Sequence, residues 1–188
     1  MKTAFLVSSL VFAGMLAGPC IAHADTVTDP SAPRALQSEG PVQVEWQDPS
    51  GFTEIRYSHN RFEARRGDWV RQLAEHLQER LAQVIPPGER LEVLITDIER
   101  AGEYEPLGAS MRDVRVVRDL YPPRMELSFV RHGADGVVLD QGNRSLLDLG
   151  FLSSSLRSTH DPLLFEKRMI EDWVRREFGP QRESVGQR

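Results

Sequence analysis

The chain has 188 residues, 40% of them hydrophobic and 27% charged, with 23 Lys and Arg against 28 Asp and Glu and a formal net charge of −5. That length and balance fit one soluble globular domain and exclude wholesale disorder. A net-negative chain with dispersed basic residues repels phosphate backbones, so no nucleic-acid partner is expected.

The first 24 residues have the layout of a secretory signal peptide. Lys2 precedes an apolar run over 4–17, then Gly18-Pro19, then Ala22-His23-Ala24 as a small-x-small cleavage site. Cleavage after Ala24 is expected to leave about 164 residues with a charge of about −6 in the periplasm. It would also remove Cys20, the only cysteine, and with it disulfides, thiol catalysis and cysteine metal sites. Pro19 stands before Cys20 where lipidation needs a small residue, so a lipoprotein is disfavoured. The apolar run falls short of the ~20 residues that span a bilayer, so no transmembrane segment is expected in the mature chain.

Residues 25–41 are rich in Pro, Ser, Thr and Asp and read as a flexible linker. The folded unit is expected over 42–178, with 179–188 a polar, disordered tail. Val42, Val44 and Trp46 alternate with polar residues, the pattern of a half-buried strand. Asp48-Pro49-Ser50-Gly51 turns the chain into a second short extended run over 52–57. Asp68 is a candidate N-cap for an amphipathic helix with Trp69, Leu73, Leu77, Leu81 and Ile85 on one face, ended by Pro86-Pro87-Gly88. Residues 91–98 (LEVLITDI) read as a buried strand. An acidic loop follows, and 114–118 is expected to be a further strand. Met125, Leu127 and Phe129 open a hairpin that turns at 133–136. Its return strand begins over 137–139 and is expected to break at Gly142-Asn143 before 145–149. Finally, Asp161 as cap and Pro162 at the first position start a helix carrying Phe165, Met169 and Trp173, stopped by Gly179-Pro180. The expected class is α+β: two amphipathic helices on one face of a mainly antiparallel sheet of about five strands.

Chemical motifs are sparse. The mature histidines, His59, His76, His132 and His160, show no metal-ligand spacing, so no metal and no cofactor is expected. No serine sits in a nucleophile elbow, no glycine-rich phosphate loop is present, and Ser153-Ser154-Ser155 beside His160 and Asp161 reads as loop composition rather than a triad. Lysine chemistry would rest on Lys167 alone. No catalytic residue is therefore assigned. The candidate binding residues are Asp97 and Glu103 in the acidic segment, Arg112 and Arg115 in the local basic cluster with Arg118, and Tyr104 between them. On a strand, Arg115 and Arg118 would project to opposite faces, so an acid–base network between loop and strand competes with an anion site.

The ordered motifs 44–49 (VEWQDP), 52–55 (FTEI), 91–98 with Ala101-Gly102-Glu103, 113–116 (DVRV), 121–124 (YPPR) and 165–173 (FEKRMIEDW) resemble an uncharacterised family of secreted proteobacterial proteins, domain-of-unknown-function family 3016. The resemblance implies a periplasmic or outer-envelope location in a Gram-negative bacterium and carries no activity. The expected role is a non-catalytic binding or interaction module of the envelope, whose partner is an envelope protein or a small ligand. It would act through the sheet edge and the loops over 99–112 and 150–160. The alternatives are a hydrolase using Asp97 and Glu103 as acid and base, and a subunit of a larger envelope assembly.

Overall fold

The computed structural model describes residues 26–37, 40–106, 113–153 and 160–179. The class is α+β, built on a four-stranded mixed sheet in the order β1-β2-β3-β4. The strands are β1 (Val42–Trp46), β2 (Arg90–Glu99), β3 (Arg124–His132) and β4 (Val138–Leu147). β2, β3 and β4 pair antiparallel, whereas β1 pairs parallel to β2, with Val44 opposite Val93. Parallel pairing follows from the connection: between β1 and β2 the chain builds helices α1 (Thr53–Tyr57), α2 (Arg61–Arg65) and α3 (Trp69–Ala82) and returns in the same direction. Helix α4 (Leu164–Phe178) completes the described fold.

One face of the sheet carries the core. Val44, Leu91, Ile95, Ile98, Met125, Leu127 and Phe129 are buried there. Against them lie Leu73, Leu77 and Leu81 of α3 and Met169, Ile170 and Trp173 of α4. Each such side chain contributes roughly 1.5–3 kcal/mol through burial. The opposite face carries Gln43, Glu45, Glu92 and Ser128, which line only a shallow depression.

Several local expectations are corrected. The strand expected over 52–57 is instead helix α1 over 53–57: the buried pair Phe52 and Ile55 is three apart, a helical spacing, but a single pair is too short to establish a period, and Asp97 secures the helix start from β2. Residues 114–118 form no strand; Val116 makes a single bridge to Glu103. The sheet therefore has four strands rather than five. Nor does β4 break at Gly142-Asn143. Gly142 sits opposite Phe129, and a side chain there would lie 2.6 Å from the Arg144 guanidinium, which stacks 4.9 Å over the Phe129 ring. The glycine makes room for that stack rather than a turn.

Both helix caps also differ from expectation. Asp68 precedes α3 but takes the Gln72 side chain instead of a backbone N–H. Asp161 accepts from the Leu163 N–H at 2.9 Å and holds Lys167 at 2.7 Å, so α4 begins at Leu164, after Pro162. The expected linker is anchored where it is described: Val27 and Leu36 are buried, the Val27 N–H reaches the Arg65 carbonyl, and residues 34–36 bond along β1. Two apolar side chains in a polar stretch suffice to dock it. The signal segment, Cys20 and residues 180–188 lie outside the described residues.

Candidate functional site

Where β2 ends, the chain passes through Arg100, Ala101 and Gly102 between α1, α4 and the 113–118 segment, and ionisable groups collect there. Glu54 projects from α1 and is only 5% exposed. Its carboxylate accepts from the Arg100 backbone N–H at 3.0 Å and from the Arg100 guanidinium at 2.9 Å. Arg115 donates to the same carboxylate and, at 2.9 Å, to the Gly102 carbonyl. Each guanidinium also covers an aromatic ring, Arg100 over Trp69 at 4.7 Å and Arg115 over Tyr104 at 4.9 Å. A flat, weakly hydrated guanidinium can stack and pair at once, which suits arginine rather than lysine to this place.

The other buried acid is Glu166 of α4, which accepts the Ala101 N–H at 2.7 Å. Burial pushes its carboxyl above the ordinary value of 4.5, against the opposing pull of that bond, Arg100 and Arg115. Its second oxygen has no hydrogen-bond partner among the described residues. An acid held more readily neutral in the fold than in the unfolded chain loses stability as pH rises past its unfolded value. Glu166→Gln keeps an acceptor for Ala101 and removes the buried charge. Melting curves should show variant and wild type equal near pH about 4 and the variant more stable near pH about 7. A wild type more stable than the variant at neutral pH would contradict this.

Gly102 closes the loop with φ +81°, and a side chain there would come within 2.8 Å of the Val116 carbonyl. Only glycine combines this backbone with so close an approach. The Glu103 and Val116 backbones bond reciprocally at 2.9 and 2.8 Å, pinning the two segments together.

Of the residues singled out in the sequence, the structure brings Glu103, Tyr104 and Arg115 together and leaves Asp97 to a separate task. Both Asp97 oxygens are taken by Thr53, at 2.6 Å to its N–H and 2.6 Å to its hydroxyl, fastening the start of α1 to β2. Glu103 accepts from the Tyr104 N–H at 2.7 Å and the Ser58 hydroxyl at 3.3 Å. Arg118 turns to Glu105 at 2.9 Å, away from Arg115, so the described part of the basic cluster is an acid–base network. Arg112 lies outside the described residues. An open cleft of about 410 Å³ borders Tyr104 and is lined by His59, Asn60, Glu105, Pro106 and Asp113; neither Asp97 nor Glu103 lines it.

The ordering of these segments, from the Val44 strand through Ala101-Gly102-Glu103 to the α4 helix, is that of a known family: residues 40–176 match the model of a protein family of unknown function, DUF3016. The chain belongs to that family. No curated protein and no solved structure matches it significantly. The family match runs from just before β1 to near the end of α4, so it includes Glu54, Arg100, Arg115 and Glu166.

Glu54, Arg100 and Glu166 were not among the candidates from sequence. For Glu166 a signal was available: it stands in the helical register of Leu163, Met169, Ile170 and Trp173, a charge inside the buried stripe. For Glu54 there was none, because α1 is a helix of five residues without a resolvable period.

Proposed function

We propose that this chain is an exported, non-catalytic binding module of the bacterial envelope that takes an extended segment of a partner protein along β4. The observation that carries the proposal is the asymmetry of the two sheet edges. Along β1, the Leu36 N–H bonds the Val44 carbonyl and the Trp46 N–H bonds the Arg34 carbonyl, so that edge is occupied. The ten-residue β4 pairs with β3 on one side and, among the described residues, with nothing on the other. An open strand edge offers a ladder of backbone donors and acceptors to an incoming strand. Val138, Leu139 and Leu147 stand exposed along it and can supply side-chain contacts. The chemistry at the end of β2 supports the same reading, because Asp97, Glu103 and Arg115 are engaged by neighbouring groups. Export rests on the signal-like segment over 1–24.

A photo-crosslinker at Leu147 in living cells should trap one partner, and hydrogen exchange of the purified complex should slow in β4. Val138→Lys together with Leu139→Lys should abolish the adduct formed from Leu147, because charges on an edge oppose strand addition. Equal trapping from Glu79, on the outer side of α3, or unchanged exchange in β4 would sink the proposal. If the trapped partner is a second copy, light scattering would show a dimer, as an assembly subunit requires. The amino terminus of the exported chain tests the address: it should be Asp25, and a lipid-bearing Cys20 would overturn cleavage at Ala24.

A further inference from the structure

The basic residues look dispersed in sequence, yet the fold collects three of them. Arg56 at the end of α1, and Arg61 and Arg65 of α2, line one surface concavity of about 390 Å³ together with Ser50, Ile55 and Tyr57. All three arginines are exposed, and among the described residues none makes an ion pair with a carboxylate. Several arginines elsewhere are used differently: Arg34, Arg71, Arg80, Arg131 and Arg144 each meet an acid. The one acid on α2, Glu63, turns to Arg66 at 3.5 Å. Arg61 is held in place by its own bond to the Arg56 carbonyl at 2.9 Å. Arg61 and Arg65 are also four residues apart on a helix, a spacing at which like charges repel. The fold thus keeps an uncompensated positive patch on a chain whose net charge is −5.

Two large aromatic side chains accompany it. Tyr57 is 66% exposed beside Arg56, and Phe62 is 77% exposed one helical turn before Arg65. Neither packs into the core; Tyr57 lines the same concavity as the arginines, and Phe62 stands exposed on α2 between Arg61 and Arg65. Guanidinium forks match phosphate oxygens, and exposed aromatic rings favour the zone between lipid headgroups and acyl chains.

We propose that Arg56, Arg61 and Arg65, with Tyr57 and Phe62, form a docking surface for an anionic phospholipid membrane, the arginines on headgroup phosphates and the two rings entering the interface. The patch draws on α1 and α2 and is independent of β4. It would hold the protein against a bilayer reversibly, because a few basic residues and two rings give weak attachment.

The test is flotation of the purified exported chain with vesicles of phosphatidylethanolamine, with and without phosphatidylglycerol. Binding is expected only to the vesicles containing phosphatidylglycerol, weakening as salt rises. Joint substitution Arg56→Gln, Arg61→Gln and Arg65→Gln should reduce it about a hundredfold, at about 1 kcal/mol of surface attraction for each arginine. The charge-matched set Arg90→Gln, Arg124→Gln and Arg176→Gln should bind like wild type. Tyr57→Ser with Phe62→Ser should weaken binding to vesicles without changing the melting temperature, which also checks that the variants fold. Equal binding to neutral vesicles, full binding by the first arginine set, or full binding by the aromatic variant would overturn the proposal. So would a melting shift with inorganic phosphate unaccompanied by vesicle binding, which would make the patch a site for free phosphate.

Discussion

Glu54→Ala is expected to destabilise the protein by about 3–5 kcal/mol, the cost of removing one member of a buried ion cluster and leaving the others unpaired. Glu54 meets both Arg100 and Arg115, whose side chains are only 13% and 18% exposed. Without the carboxylate, two guanidinium groups stay packed over Trp69 and Tyr104 with their shared partner gone. The Arg100 N–H also loses its acceptor. Urea unfolding should show the loss, and the melting temperature should fall by about 10 °C. Adding Arg115→Met to Glu54→Ala should recover at least about 1 kcal/mol, because the second change removes a charge that the first left stranded. A single-variant loss below about 1 kcal/mol would mean that the arginines swing out to water, and the cluster would then not hold α1 to the end of β2.

Phe129→Ala should cost a comparable amount, about 3–5 kcal/mol, for a different reason. The ring is 2% exposed on β3 and meets Phe178 edge-on at 5.8 Å; Phe178 in turn meets Trp173 at 5.6 Å. This chain of rings ties α4 to the sheet. Arg144 lies over the same ring and bonds Glu177 of α4 at 2.9 Å, so the ion pair is positioned by the stack. Truncation leaves a cavity and takes away the surface on which Arg144 rests. Hydrogen exchange should accelerate first in α4, and the near-ultraviolet signal of Trp173 should weaken. A loss below about 1.5 kcal/mol, with α4 exchange unchanged, would place the docking of α4 elsewhere.

The family match and the two predictions bear on different levels of the molecule. Membership in a family of unknown function covers residues 40–176 and speaks to shared architecture. The Glu54 cluster explains how that architecture is closed at one end. It brings α1, the end of β2, the 113–118 segment and α4 to one point, with Asp97 fastening α1 from the same strand. Groups so engaged hold the fold. The edge of β4 that is unpaired among the described residues and the arginine patch of α1 and α2 lie outside that cluster, and there the proposals for partner and membrane are made.

The long periodic segments were legible in sequence because burial repeats within a single element. Leu73, Leu77 and Leu81 mark one face of α3, and Met125, Leu127 and Phe129 one face of β3, whatever lies opposite. The hairpin at 133–136 was legible too, since Gly136 takes φ +81° and its N–H bonds the Gly133 carbonyl, both within four residues. What escaped was decided by groups far apart in the chain. Residues 53–57 are helical partly because Asp97, 44 positions away, receives Thr53. Gly142 runs through the strand opposite Phe129, with the Arg144 guanidinium lying over the space a side chain there would take. Alone, then, the sequence determined the α+β class, the two long amphipathic helices and the buried faces of the principal strands, all set by local spacing of apolar residues. The tertiary structure decided the parallel β1, the inward turn of Glu54 and Glu166, the gathering of Arg56, Arg61 and Arg65, and the edge of β4 left unpaired among the described residues. Each depends on pairing between distant segments, where contact is made only after the chain has closed its loops.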